Sequence, residues 1–314
     1  MDFFTMVWRR KPTNTVKEYD MMTKEQILDK LRIDLEARGR CAKTVEEYCR
    51  KVRLFQDHYD KPADQMGEAE ILSFCHYLLM EKGCSSSTVN VYHCALRFVY
   101  GVTLDVTLNY KRVPRLKQTR RLPQLFSQEE VRKIIDSAGN LTHKSMFMLA
   151  YGSGLRLSEI TGLKVSDIES DQMRILIRHG KGDRDRYAML PKATLETLRE
   201  YWQEYRPKEW LFEAPVSGGQ YKIRTVQDAL HAARKRSGVT TYGTIHTLRH
   251  CFATHFYEDG HNLLALKKLL GHVRIDTTAW YTQLAYSQVL GLKSPIDTLP
   301  KKRGRKPKVA KQDA

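Results

Sequence analysis

A chain of 314 residues, 41% of them hydrophobic, is long enough for two ordinary domains, each with its own core. No apolar run approaches the roughly 20 residues of a membrane-spanning helix, which excludes a helical membrane protein. With 53 Lys+Arg against 36 Asp+Glu the formal net charge is +17. Such an excess points to a polyanionic partner, a nucleic acid before an anionic membrane surface, since no strongly amphipathic basic helix stands out.

The N-terminal stretch "MDFFTMVWRRKPTNTVKEYD" has an acidic second residue and charges straight after a short apolar patch. It lacks the order of a secretory signal, so a cytoplasmic, nucleoid-associated location is expected. From Thr23 to about Thr107 the pattern is helical. "TKEQILDKLRIDLEARG" closes on Gly39, and "AKTVEEYCRKVRLFQDHYD" places Val45, Tyr48, Val52 and Phe55 at three- and four-residue steps. "EAEILSFCHYLLMEKG" and "SSSTVNVYHCALRFVYGVTL" repeat the scheme, the second behind a serine-rich cap. The segment "NYKRVPRLKQTRRLPQLFS" has two prolines, many cations and no acid. It reads as an extended linker touching phosphates through Lys111, Arg112, Arg115, Lys117, Arg120 and Arg121.

A second domain begins near Ser127, which caps a helix with Glu130 three residues on. "HKSMFMLAYGSGL" and "RLSEITGLKVSDI" predict helices separated by a glycine turn. "QMRILIRHGKGDRDRYAMLP" predicts a hairpin or small sheet with a charged, Gly-rich tip. Helices follow in "KATLETLREYWQEY", "TVQDALHAARKR", "HTLRHCFATH", "HNLLALKKLLG" and around "IDTTAWYTQLAYSQVLG". The tail "PKKRGRKPKVAKQDA" is basic and proline-broken, and predicts disorder in isolation. In it Arg303 and Arg305 flank a glycine, as in minor-groove AT-hooks. The expected fold class is mainly α with a small antiparallel β-sheet in the second domain. The expected partition is an extension (1–22), a helical domain (23–108), a basic linker (109–126), the second domain (127–290) and the tail (291–314).

The six cysteines form no C-x-x-C pair, and reduced, mostly buried thiols are expected. His246 and His250 are four apart, as in helical zinc proteases, but Thr247 follows His246 where the glutamate base belongs. No third ligand is evident, and no metal or other cofactor is expected. His246 and Arg249, three apart, share a helical face, pairing a group that moves protons near neutral pH with a fork that grips two phosphate oxygens. Arg156 follows a glycine turn and precedes Glu159, and the glycines open no P-loop because no Gly-Lys-Ser/Thr follows. Lys181 sits between two glycines at the hairpin tip, His272 follows the helix-ending Gly271, and Tyr281 lies nine residues further on. Each alone is a commonplace surface or packing residue.

Their order changes this. "GSGLRLSEI", "HGKGDRDRYAMLP", "HTLRHCFATHF" and "LLGHVRIDTTAWYTQ" resemble, in sequence, the motifs of the tyrosine recombinase (phage integrase) family. The likeness spans roughly residues 23–290, because "RGRCAKTVEEYCRKVRLF" and "SSSTVNVYHCALRFVY" resemble the family's core-binding domain. The resemblance implies a two-domain, C-shaped DNA clamp and a site-specific recombinase or integrase serving integration, excision or transposition of a mobile element. It implies that Arg156 and Arg249 clamp the scissile phosphate and that Tyr281 attacks it to give a 3′-phosphotyrosine. Lys181 would protonate the leaving 5′-oxygen, His246 would assist proton transfer at the tyrosine, and His272 would hydrogen-bond the phosphate. Glu159 would orient the arginine region. Neither metal nor ATP is needed, because the phosphotyrosine conserves the bond energy. The implied partners are double-stranded DNA sites and, on paired sites, three further copies in a homotetramer, with monomer or dimer otherwise and no membrane. Tyr286 competes as nucleophile, but it lies about 140° round an ideal helix from Tyr281. A type IB topoisomerase-like relaxing enzyme and a non-catalytic DNA-binding regulator are the alternatives, and the complete residue set argues against the second.

Overall fold

In the computed structural model the described residues are 22–109, 111–117, 124–180, 184–215, 217–272 and 276–283. The chain divides into two compact units, Met1–Arg121 and Leu122–Ala314.

The first unit is a four-helix assembly: α1 (Lys24–Glu36), α2 (Ala42–Tyr59), α3 (Glu68–Met80) and α4 (Ser86–Phe98). Thr23 caps α1 reciprocally with Gln26, and Ser85 accepts from the Thr88 N–H to start α4. Asp60 in the left-handed region ends α2. Along α2 the interior positions are Val45, Cys49, Val52 and Phe55, while Tyr48 packs at the margin of the core. The Phe55, Phe74 and Tyr92 rings meet edge-on at 5.3 and 5.7 Å, joining α2, α3 and α4. Burying such side chains stabilises the unit by about 1.5–3 kcal/mol each.

Residues 111–117, part of the expected basic linker, are tied to α4. Asn90 exchanges two 3.0 Å hydrogen bonds with the backbone of Leu116, and the His93 Nε2 lies 2.7 Å from the Val113 carbonyl, with Val113 itself buried. The physical reason is local: an apolar Val113 and Leu116 among the cations give the segment something to bury. Its cations Lys111, Arg112, Arg115 and Lys117 remain exposed.

In the second unit α5 (Gln128–Asp136), α6 (Leu141–Gly152), α7 (Leu157–Thr161), α8 (Lys192–Tyr205), α9 (Ile223–Arg236), α10 (Ile245–Glu258), α11 (Leu263–Leu270) and α12 (Asp276–Ala279) surround one antiparallel sheet. The sheet runs β1 (Ile168–Glu169), β2 (Arg174–Gly180), β3 (Arg184–Met189), in that order. Its register pairs Ile175 with Ala188 and Ile177 with Arg186, so these four residues share the face turned to the core. α6 is the central element, packed by α8 and α10, with Met146, Phe147, Leu149 and Ala150 fully buried. A separate apolar cluster of Phe252, Ala253, Leu266, Leu270 and Tyr281 underlies the candidate site.

One expectation shifts. The "RLSEITGLKVSDI" helix stops after five residues, because Gly162 closes it and a 3-10 turn takes over at Val165–Asp167. Of the last expected helix the described residues are 276–283, an α-turn at Asp276–Ala279 followed by a 3-10 turn at Trp280–Gln283; its remainder lies outside the described residues. Among the cysteines Cys49, Cys75 and Cys251 are buried, Cys84 and Cys94 half-buried and Cys41 exposed; all six are free.

Candidate active site

Five of the residues singled out from sequence, Arg156, Glu159, Arg249, His272 and Tyr281, form one connected cluster. Its hub is Glu159. The Arg156 N–H donates to one Glu159 oxygen at 2.8 Å and the Arg156 guanidinium to the other at 2.7 Å, a capping box that also starts α7. From β3, Arg186 grips both oxygens at 2.9 and 2.8 Å. Arg249 from α10 approaches to 3.7 Å. Burial works to raise the Glu159 pKa. The hydrogen bonds and charge of Arg186, followed by those of Arg156, outweigh it and hold the carboxyl at about 2.

Arg249 is 1% exposed. Its guanidinium donates to the Gly154 carbonyl at 2.5 Å and to the Leu270 carbonyl at 2.8 Å. Burial, then the charge of Arg156, lowers its pKa to about 10, which leaves it cationic at neutral pH. Both carbonyls belong to glycine-bearing turns. Gly154 has φ +63°, and a Cβ there would meet the Phe252 ring at 2.4 Å; Gly271 has φ +64°, and a Cβ would meet the Arg186 Cδ at 2.6 Å. A side chain at Gly154 would displace the Phe252 ring, and one at Gly271 would displace Arg186.

Tyr281 is 2% exposed. Its hydroxyl lies 3.0 Å from His250 Nδ1, and its ring stacks on His272 with an interplanar angle of 9°. Burial raises the Tyr281 pKa above the ordinary phenol value, while Arg249 and Arg156 pull it down. Because a guanidinium only donates, the 3.4 Å contact from Arg249 makes His272 Nε2 the acceptor. The His272 proton then sits on Nδ1 and is donated to the Thr278 hydroxyl at 2.9 Å. His246 faces solvent in the first turn of α10, in edge-on ring contact with His250 at 4.5 Å. Desolvation by the surrounding protein, then Arg249 and Arg156, still lower its pKa.

The hydroxyl lies in hydrogen-bond distance of His250, a residue not singled out for the site from sequence. Arg186, His250 and Thr278 are the site residues missed from sequence. Arg186 had a signal: it falls on the inward face of a strand with Ala188 and Leu190, where a cation requires an acid. Among the described residues no group of three or more His, Cys, Asp or Glu is arranged to hold a metal. Lys181, Tyr286, Arg120, Arg121, Arg303 and Arg305 lie outside the described residues. Arg112 pairs loosely with Glu68 at 3.8 Å, and Arg115 donates to the Cys94 sulfur at 3.1 Å.

A buried tyrosine and three arginines around one shared carboxylate thus stand together on a helical frame of the kind found in tyrosine recombinases. The chain belongs to the phage integrase family: the Phage integrase family model matches residues 124–288, and the family's N-terminal SAM-like domain matches residues 27–109. A Sinorhizobium fredii protein named as an integrase/recombinase is 35% identical over 89% of this chain and 92% of its own length. The tyrosine recombinase XerA of Pyrococcus horikoshii is 29% identical over 86% of this chain and 93% of its own. The fold is shared with the XerH recombinase bound to its difH substrate (TM-score 0.69, 21% identity, 85% of this chain and 83% of that one). It is shared also with a lambda integrase dimer on a core site (TM-score 0.68, 21% identity, 83% and 95%).

Proposed function

We propose that this protein is a site-specific DNA recombinase that cleaves and rejoins strands through a 3′-phosphotyrosyl intermediate on Tyr281. The carrying observation is the buried Tyr281, whose pKa Arg249 and Arg156 pull down and whose ring stacks on His272, itself in contact with Arg249 of the Arg156–Glu159–Arg186 cluster. Phosphoryl transfer needs an in-line nucleophile and fixed positive charge where the pentacoordinate phosphorus gathers negative charge. Arg156 and Arg249 supply that charge, and Glu159 holds them at a fixed spacing against their mutual repulsion. His272 Nε2 accepts from Arg249; for it to hydrogen-bond a phosphate oxygen that takes over Arg249, its proton moves to Nε2 and the Thr278 hydroxyl donates to Nδ1 instead. Lys181 serves as general acid to the leaving 5′-oxygen.

Double-stranded DNA is the partner, in keeping with the +17 charge. The relatives' structures include a lambda integrase tetramer on a Holliday junction, which supports assembly of four protomers on paired sites. A nicked suicide site tests the reading: wild type accumulates a covalent protein–DNA adduct, undiminished by EDTA, and Tyr281→Phe accumulates none. An adduct persisting in the variant refutes the assignment of the nucleophile.

A further inference from the structure

We propose that Arg186 is a positioning residue for strand cleavage: it neutralises the Glu159 carboxylate so that the positive charges of Arg156 and Arg249 stay available to the scissile phosphate. The inference rests on the recombinase reading of the site. It starts from a conflict inside the cluster. A carboxylate and a phosphate oxygen suit a guanidinium equally well, and Glu159 bonds Arg156 at 2.7 Å and lies 3.7 Å from Arg249. Left to itself, Glu159 would compete with the phosphate for both arginines.

Arg186 removes that competition. Its Nη1 and Nη2 donate to one Glu159 oxygen each, at 2.9 and 2.8 Å, the two-pronged geometry that fits a carboxylate. Its Nε donates to the Leu269 carbonyl at 3.2 Å. All three nitrogens are thus engaged within the protein and the side chain is 11% exposed, so Arg186 holds Glu159 rather than touching DNA. The chain leaves room for it at Gly271, where a Cβ would meet the Arg186 Cδ at 2.6 Å and Nε at 2.9 Å. The last carbonyls of α11, a helix end that favours cations, receive both inner arginines: Leu269 from Arg186 and Leu270 from Arg249.

The charge balance gives the arrangement its purpose. Three guanidinium groups around one carboxylate leave a surplus of two positive charges. As the Tyr281 O–P bond forms, the two non-bridging oxygens of the pentacoordinate phosphorus gather two negative charges, which that surplus matches. Without Arg186 the surplus halves, and the freed lone pairs of Glu159 draw Arg249 in from 3.7 Å, away from the phosphate. Arg186 is therefore needed because Glu159 is there. The carboxylate spaces the two clamp arginines, and Arg186 keeps it from capturing them.

The test is single-turnover cleavage of a nicked suicide site by full-length protein, with DNA binding measured in parallel. Arg186→Gln is expected to form the adduct roughly 10²-fold more slowly while binding DNA within about twofold of wild type. A methylphosphonate at the scissile position replaces one charged oxygen by a methyl group and needs less positive charge. On that substrate the same substitution is expected to cost about tenfold less. In a Glu159→Gln background no carboxylate remains to be neutralised, so adding Arg186→Gln is expected to slow phosphodiester cleavage by less than about tenfold. Cleavage by Arg186→Gln within about threefold of wild type overturns the proposal, as does an equal loss on the two substrates. A further loss of roughly 10²-fold in the Glu159→Gln background overturns it too. If the unpaired carboxylate leaves Arg186→Gln unfolded, the comparison in the Glu159→Gln background decides alone. Adduct formation by Tyr281→Phe is a separate failure, that of the nucleophile assignment.

Discussion

Replacing Glu159 by Gln removes one charge and almost no volume, so it isolates what the carboxylate does. Its two oxygens accept four hydrogen bonds of 2.7 to 2.9 Å from Arg156 and Arg186, and its side chain is 7% exposed. A carboxyl held at about 2, where an ordinary glutamate titrates at 4.5, corresponds to about 3 kcal/mol of stabilisation at neutral pH. Removing one partner of a buried ion pair costs about 3–5 kcal/mol by comparison with other proteins, which is the same size. For a unit running from Leu122 to Ala314 that loss lowers Tm by roughly 6–12 °C. Thermal and urea unfolding of wild type and Glu159→Gln measure it. Because the folded-state pKa is depressed, the advantage of wild type is complete above pH 4.5 and disappears as pH falls through about 2. A variant within about 1 kcal/mol of wild type at neutral pH, or a gap that does not narrow in acid, refutes the reasoning.

Arg249→Lys keeps the charge but cannot reach the Gly154 and Leu270 carbonyls together, so adduct formation is expected to fall about 10²–10³-fold with unfolding also made easier. Wild-type rates in the suicide-site assay would remove Arg249 from the clamp. Lys117→Ala, at an exposed position on the anchored segment, is expected to weaken DNA binding uniformly across sequences and reduce the log–log salt slope by about 1. An unchanged slope places that cation away from the DNA.

Much of the helical frame was legible because burial imposes a 3.6-residue period: Val45, Val52 and Phe55 fall on the expected interior stripe. Ser127 and Glu130 marked a helix start that both local bonding and sequence define. The arginines and Tyr281 were legible through motif order rather than periodicity. What escaped depends on tertiary partners. His250 pairs with a residue 31 positions away, and nothing in "HTLRHCFATH" says which of its histidines faces the tyrosine. Of the three, His246 faces solvent, His250 meets Tyr281, and His255 meets the Tyr151 hydroxyl at 3.0 Å. The tightening at 280–283 was not legible either, since it shows only in the Thr282 hydroxyl turning back onto the Ala279 carbonyl at 2.6 Å.

Arg249 is also a structural tie, joining the turn before α7 to the turn after α11 through two main-chain carbonyls. That double duty constrains how such a chain can decay. Mutational drift toward an inactive but folded DNA-binding descendant cannot easily begin at Arg249, since the lesion that silences it also loosens the unit. A change such as Tyr281→Phe removes only an oxygen from an otherwise packed ring. Silent descendants of this protein are therefore expected to keep the buried arginine and lose the hydroxyl, so an intact arginine in a relative is poor testimony of activity and an intact tyrosine is better.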